Sequence, residues 1–122
     1  MALCDTNILI EFWKGNPSVV TNLTKLSIEN ISISSVTQME LYYGALDKNE
    51  LSKIKRALAA LILIPISENI SNFSVELIER YSKSHGLEIP DAIIAATAIQ
   101  RNIKLYTLNK KDFKYIEDLH LF

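Results

Sequence analysis

The sequence predicts an α/β domain in which a mainly parallel sheet carries helices on both faces. Short apolar, β-rich runs alternate with longer segments of helical period, the pattern of a wound parallel sheet. The 122 residues (13.8 kDa) suit one compact unit, so residues 1–122 are expected to form a single domain. Hydrophobic residues make up 48% of the chain, enough for a core and too many for a disordered polypeptide.

Ala2 to Asp5 reads as a short buried strand, and Thr6-Asn7 then cap a helix through Ile8, Ile10, Phe12 and Trp13 to Gly15. Asn16-Pro17 is a helix start with proline in the first turn, and Val20, Leu23 and Leu26 mark its face. Ile31-Ser32-Ile33-Ser34 alternates as a strand does. Ser35 with Gln38 has capping-box spacing for a helix carrying Met39, Glu40, Tyr43 and Gly44. Leu51, Ile54, Leu58 and Leu61 keep helical spacing, and Leu63 to Ile66 turns extended. Ser67 caps a helix whose stripe is Ile70, Phe73, Leu77, Ile78 and Tyr81. Gly86 ends it in the usual place just past the last turn. Pro90 opens a very apolar helix, Asp91 to Gln100. Lys104 to Thr107 is a strand, Lys110 to Ile116 a short helix, and Leu119 to Phe122 a last edge strand. Neither repeats nor a linker interrupt this order.

The formal net charge is −1 and the pI about 6.1. A protein that coats nucleic acid nonspecifically is usually basic, so any such contact must come from a local patch. The single cysteine, Cys4, lies in the apolar run Ala2-Leu3-Cys4 and reads as a buried structural thiol. Without a Cys/His cluster a structural zinc site is excluded. The first residues lack the basic leader of a signal peptide, and Asp5 and Asn7 break the apolar stretch. Ala57 to Ile66, the longest apolar run, is too short to span a bilayer. A cytoplasmic protein is expected.

Function is read from the acids. Asp5 ends the first apolar strand, and Glu40 sits among Met39, Leu41, Tyr42 and Tyr43. Asp91 heads a helix apolar all round, and Asp112 follows the turn Thr107-Leu108-Asn109. In a parallel sheet ligands gather at the carboxyl ends of strands, where Asp5 and the 107–109 segment would lie. Carboxylates brought to one rim repel and lose hydration unless a cation neutralises them. Hard divalent ions such as Mg²⁺ or Mn²⁺ favour that all-oxygen setting and can activate water for attack on phosphorus. Ala95 and Ala98 below Asp91, and Gly44 one turn after Glu40, would allow close helix approach. Asn7 and Thr107 are short oxygen-bearing residues suited to holding carboxylates or waters. Each acid also has a plainer reading. Asp5 can cap a helix, Asp91 can complement a helix dipole, Glu40 can be a partly exposed acid, and residues 109–112 can be a surface turn.

The order of these segments resembles the four motifs of PIN-domain ribonuclease toxins of the VapC type. Asp5-Thr6-Asn7-Ile8-Leu9-Ile10 is similar to the opening motif and Glu40-Leu41-Tyr42-Tyr43-Gly44 to the second. Pro90-Asp91-Ala92-Ile93-Ile94-Ala95-Ala96-Thr97-Ala98 is similar to the third, and Thr107-Leu108-Asn109-Lys110-Lys111-Asp112-Phe113 to the fourth. The resemblance covers essentially the whole chain. It implies a PIN-like three-layer α/β/α fold, endoribonuclease activity dependent on Mg²⁺ or Mn²⁺, a homodimer, and a small DNA-binding antitoxin as partner. Asp5, Glu40 and Asp91 match the first three acidic positions. At the fourth, Asn109 stands where many members carry Asp, and a carboxylate appears three residues later as Asp112. A PIN scaffold that binds RNA or a protein without cutting is the alternative.

His85 and His120 have no catalytic partner in a recognisable pattern. Trp13, Tyr42 and Tyr43 offer rings for stacking on RNA. Tyr43 shares a helical face with Glu40, although core or dimer packing also accounts for it. Of the lysines, Lys110, Lys111 and Lys114 lie closest to the fourth motif and are better placed to steer phosphate than Lys14 or Lys48. A receiver domain needs adjacent acids after its first strand, where Asp5 stands alone. A haloacid-dehalogenase-type phosphatase needs a second aspartate where Asn7 is found.

Overall fold

A computed structural model describes residues Met1–Phe122. Four strands, β1 (Ala2–Cys4), β2 (Ile31–Ser34), β3 (Ile62–Ile64) and β4 (Lys104–Tyr106), pair in the order β3-β2-β1-β4. Every pairing is parallel. Six helices connect and cover them: α1 (Thr6–Trp13), α2 (Pro17–Leu26), α3 (Ser35–Tyr43), α4 (Lys48–Leu58), α5 (Glu68–His85) and α6 (Ile89–Gln100). The chain winds outward from β1 to β3, then returns to place β4 on the other side of β1. The strand order therefore reverses between β1 and β4, and in parallel sheets the carboxyl ends of strands at such a reversal are where ligands bind.

The two-residue period of the strands divides the core. Ala2 and Cys4 pack with Ile8, Leu9, Val19 and Ile33 on one face, whereas Leu3 packs with Ile94, Leu77 and Leu105 on the other. All of β2 is buried, although its sequence alternates apolar and polar residues. A central parallel strand has no wet face, and its serines are satisfied internally. Ser32 Oγ donates to the Ala2 carbonyl at 3.0 Å, and Ser34 Oγ accepts from the Val36 amide at 3.1 Å. In α6, Ala92, Ala95, Ala96 and Ala98 are all buried, and their small side chains let the helix lie close against the sheet and α5.

Several boundaries differ from the sequence reading. The first strand stops at Cys4, because Asp5 is the N-cap of α1 with its side chain accepting from the Thr6 amide. The α3 cap is Ser34, so the expected Ser35–Gln38 box does not form; Ser35 Oγ donates to the Ile64 carbonyl, and the Gln38 amide donates to the Tyr42 hydroxyl. Helix α4 ends at Leu58, leaving Leu61 beyond it. Strand β3 stops at Ile64, before the N–H-less Pro65. Helix α6 begins at Ile89, since a proline fits the first turn as well as the first position. The expected Lys110–Ile116 helix shrinks to a 3₁₀ turn over Lys110–Asp112. Leu119–Phe122 forms no full strand but a bridge at Leu121 to Leu105. There the Leu105 amide donates to the His120 carbonyl at 2.9 Å, and the Phe122 amide to the Leu105 carbonyl at 2.8 Å. Gly44 is not a point of close approach: an added Cβ would meet only its own helix, 3.4 Å from the Glu40 carbonyl oxygen. Gly86 caps α5 as expected, in the left-handed region at φ 71°.

Candidate active site

The connection from β1 to α1 is one residue long, and that residue is Asp5. Its amide donates to the Tyr106 carbonyl at 2.9 Å, continuing the β1–β4 ladder one step past the strand. Asp5 is buried, with only 6% exposure. Oδ1 accepts from the Thr6 amide at 2.8 Å, and Oδ2 from Thr107 Oγ1 at 2.9 Å. Thr107, just past β4 and buried, in turn accepts the Asn109 amide at 3.0 Å. Capping and site duty thus coexist in Asp5, one oxygen serving the helix and the other facing β4.

Glu40 reaches the same rim from α3. Its Oε1 accepts from Thr6 Oγ1 at 2.7 Å, and Thr6 Oγ1 also lies 3.1 Å from the hydroxyl of buried Thr37. Asp91 comes from the first turn of α6 and is half-buried. Asp112, exposed, comes from the 3₁₀ turn after β4. It is not a helix cap, since the residue in that position is Asn109 and no side-chain cap bond forms.

These acids influence one another. Burial pushes the Asp5 carboxyl up, against the lowering effect of the Thr107 and Thr6 hydrogen bonds, and the charges of Glu40 and Asp112 add to the rise. Asp91 is pushed up to about 6, first by burial and then by Asp5, Glu88, Asp112 and Glu40. Strain of this kind between carboxylates is what a bound cation relieves. The donors are all oxygen, which suits Mg²⁺ or Mn²⁺. No three His, Cys, Asp or Glu side chains converge closely enough to ligate one ion jointly. An ion here would take one or two carboxylates and keep several waters, as Mg²⁺ commonly does. Asp5 and Asp91, the two carboxyls raised by burial, could serve such an ion directly, and Glu40 and Asp112 could act through water.

Of the supporting residues, Thr107 holds a carboxylate as expected, but Asn7 does not. Asn7 is exposed and lines a neighbouring cleft of about 220 Å³ with Ile10, Glu11, Lys14, Leu108 and Asn109. Thr6, the first residue after the N-cap, turns to the acids instead, with Oγ1 bonded to Glu40, while Asn7, the second, faces outward. Thr6 was legible only as a cap, although a hydroxyl next to a strand-ending acid is itself a signal. Glu88, whose charge adds to the rise at Asp91 and which lines a cavity with it, is not singled out by the sequence, where it is only the residue before a helix start. Tyr43 is 94% exposed, which excludes core packing, and Trp13 is 43% exposed. Lys110, Lys111 and Lys114 are exposed beside the rim. His85 ends α5 as expected, yet it lines a polar cavity of about 70 Å³ with Glu88, Asp91, Asp112 and Tyr115. Cys4 is buried and its thiol is pushed up to about 12 by burial and by Asp5, as an inert structural residue requires.

The family profile described as "PIN domain" matches residues 2–119. A protein named Ribonuclease VapC19 from Mycobacterium tuberculosis is 32% identical over 122 residues, spanning 98% of this chain and 97% of the relative. A structure described as a toxin–antitoxin complex from Klebsiella pneumoniae superposes with a TM-score of 0.82 at 35% identity, over 98% of this chain and 95% of that one. VapBC2 from Rickettsia felis, bound to a DNA fragment from its promoter, gives a TM-score of 0.83 at 33% identity, over 99% and 96% of the two chains.

Proposed function

The chain belongs to the PIN-domain family, and from that premise we propose that it is a VapC-type endoribonuclease, the toxin of a toxin–antitoxin pair, that uses Mg²⁺ or Mn²⁺ to hydrolyse RNA. The observation that carries this reading is the placement of Asp5 at the end of β1 and Asp91 in the first turn of α6, where burial is the main cause that raises both carboxyl groups, Glu40 and Asp112 adding to the first and Asp5, Glu88, Asp112 and Glu40 to the second. The relatives named as ribonucleases and the neighbours described as toxin–antitoxin complexes support it.

When bound, the divalent ion supplies the positive charge that neutralises the acids and polarises an attacking water. Asp5 binds with its orientation set beforehand by Thr6 and Thr107. Asp91, whose carboxyl is raised to about 6 by burial first, would be held in its charged form by such an ion. Glu40 is oriented through Oε1, leaving Oε2 to accept the proton of the water. Asp112 adds negative charge at the rim, and Asn109, buttressed through its amide, offers a carbonyl oxygen in place of a fourth carboxylate. Lys110, Lys111, Lys114 and the exposed Tyr43 flank the approach of RNA.

The antitoxin partner gains support from an apolar groove of about 380 Å³ lined by Leu9, Phe12, Trp13, Leu23, Ile28 and Leu61. A homodimer and a cytoplasmic location complete the proposal; no helix is long and apolar enough to cross a membrane. The test is cleavage of single-stranded and structured RNAs by the purified chain in Mn²⁺ against EDTA, with Mn²⁺ binding followed by calorimetry. Cleavage in Mn²⁺ alone, lost together with metal binding in Asp5→Asn, is expected. RNA binding without cleavage in either condition would overturn the nuclease and leave the non-catalytic scaffold.

A further inference from the structure

At the end of α5 three rings gather beside the acidic rim. His85 stacks on Tyr115 with centroids 4.1 Å apart and planes 7° from parallel. Tyr81 meets both edge-on, at 5.2 Å from Tyr115 and 5.7 Å from His85. These separations put Tyr81 on the Tyr115 side of the imidazole, so the opposite face of His85 is covered by neither tyrosine. His85 is exposed while Tyr115 is half-buried. The stack is fixed from below, since the Tyr81 hydroxyl accepts the Glu117 amide at 3.2 Å. It is fixed from the side too, where Ser84 Oγ and His85 Nδ1 lie 2.8 Å apart. Holding an exposed ring this firmly costs conformational freedom, and a rigidly held ring with a face that neither tyrosine covers is what a stacking ligand uses.

The surroundings say which ligand. His85 and Tyr115 line the same polar cavity as Asp91 and Asp112. At about 70 Å³ it has room for a couple of waters and no room for a nucleobase. A base at this edge must lie outside, on the rim, with its phosphate toward the acids. Lys110, Lys111 and Lys114, exposed on the segment that carries Tyr115, supply positive charge for the adjoining phosphates.

We propose that His85, backed by Tyr115, is a substrate-positioning residue whose open face stacks on an unpaired RNA base next to the scissile phosphate. This rests on the nuclease reading above and adds the place where a nucleotide is held. Stacking on a protein ring is tolerant of base identity, so the subsite selects single-stranded over paired RNA more than it selects a base.

The experiment compares wild type, His85→Ala and His85→Phe under Mn²⁺ by cleavage kinetics. Alongside, 2-aminopurine fluorescence of a single-stranded oligoribonucleotide is read with Ca²⁺ in place of Mn²⁺. His85→Ala is expected to raise KM about 5- to 100-fold, leave kcat within about two- to threefold, and abolish 2-aminopurine quenching. His85→Phe, which keeps a ring, should restore both KM and quenching. A KM and quenching unchanged in His85→Ala would overturn the proposal while leaving the nuclease reading intact. So would failure of His85→Phe to recover at an unchanged Tm, which would assign the imidazole a polar role. A wild type without cleavage would remove the nuclease reading, but the quenching comparison would still decide whether the ring holds a base.

Discussion

Asp91→Asn should make the metal-free protein more stable, and by an amount that depends on pH. The carboxyl of Asp91 accepts no hydrogen bond from the protein, so the amide sacrifices none, and the change removes only charge. In the folded chain this group is raised from 3.8 to about 6, which corresponds to about 3 kcal/mol between its two protonation states. Half-exposure lets water screen roughly half of that, and loss of an acid from the first turn of α6 offsets a further ~0.5 kcal/mol. About 1 kcal/mol remains, or about 3–5 °C in Tm for a chain of this length. A carboxyl whose folded value lies above its unfolded one binds extra proton in the native state, so stability is lost as pH rises through the interval between them. The variant escapes that loss. The Tm difference, variant minus wild type, should be near zero at about pH 3.5, open between about pH 4 and 6, and stay level above about pH 7. Thermal melts in EDTA across that range are the assay. Adding Mn²⁺ should then raise the wild-type Tm and leave the variant nearly still. A difference that is flat with pH, or negative at neutral pH, would refute the assignment of repulsion to this carboxyl.

Thr6→Val removes the 2.7 Å donor to Glu40; turnover should fall about tenfold with under ~1 kcal/mol of stability lost, because the pair is exposed, and Thr6→Ser should recover it in single-turnover cleavage. Thr107→Val strands both Asp5 Oδ2 and the Asn109 amide; chemical denaturation should show a loss of about 2–3 kcal/mol at neutral pH, shrinking in acid as Asp5 takes up a proton. Asp112→Asn, at an exposed position, should weaken Mn²⁺ binding several-fold in calorimetry and move the denaturation midpoint by less than ~0.5 kcal/mol. Cys4, buried with its thiol at about 12, should resist a thiol reagent at about pH 8 in the native protein and react at once in denaturant.

The helical stripes were legible because a core-facing period of 3.6 survives in one sequence: Ile70, Leu77 and Tyr81 lie where their spacing puts them. Asp5 and Asp91 were legible as acids out of place among apolar neighbours. What failed depends on partners distant in sequence. The Ser35 contact with Ile64 requires β3 to be alongside β2 and takes Ser35 out of the capping role that its local neighbour Ser34 fills. The Lys110–Ile116 segment has helical spacing, but Phe113 and Ile116 are drawn individually into the core, which tertiary packing favours over a regular helix. Thr6 and Glu40 are 34 residues apart, and nothing local to either shows the bond between them.

The sheet has two outer strands, and they are protected differently. The outer edge of β4 is occupied by residues 120–122 through the bonds of Leu105, so no foreign strand can add there without first displacing this segment. The outer edge of β3 has no such cover, but it is only three residues long, and Pro65 directly after it has no N–H to offer an incoming chain. Short edges ended by proline are poor templates for intermolecular pairing. With Leu63 exposed on this border, Pro65→Ala should restore an N–H beside the edge and raise the tendency of the free chain to self-associate, a change light scattering reads without any change at the acids.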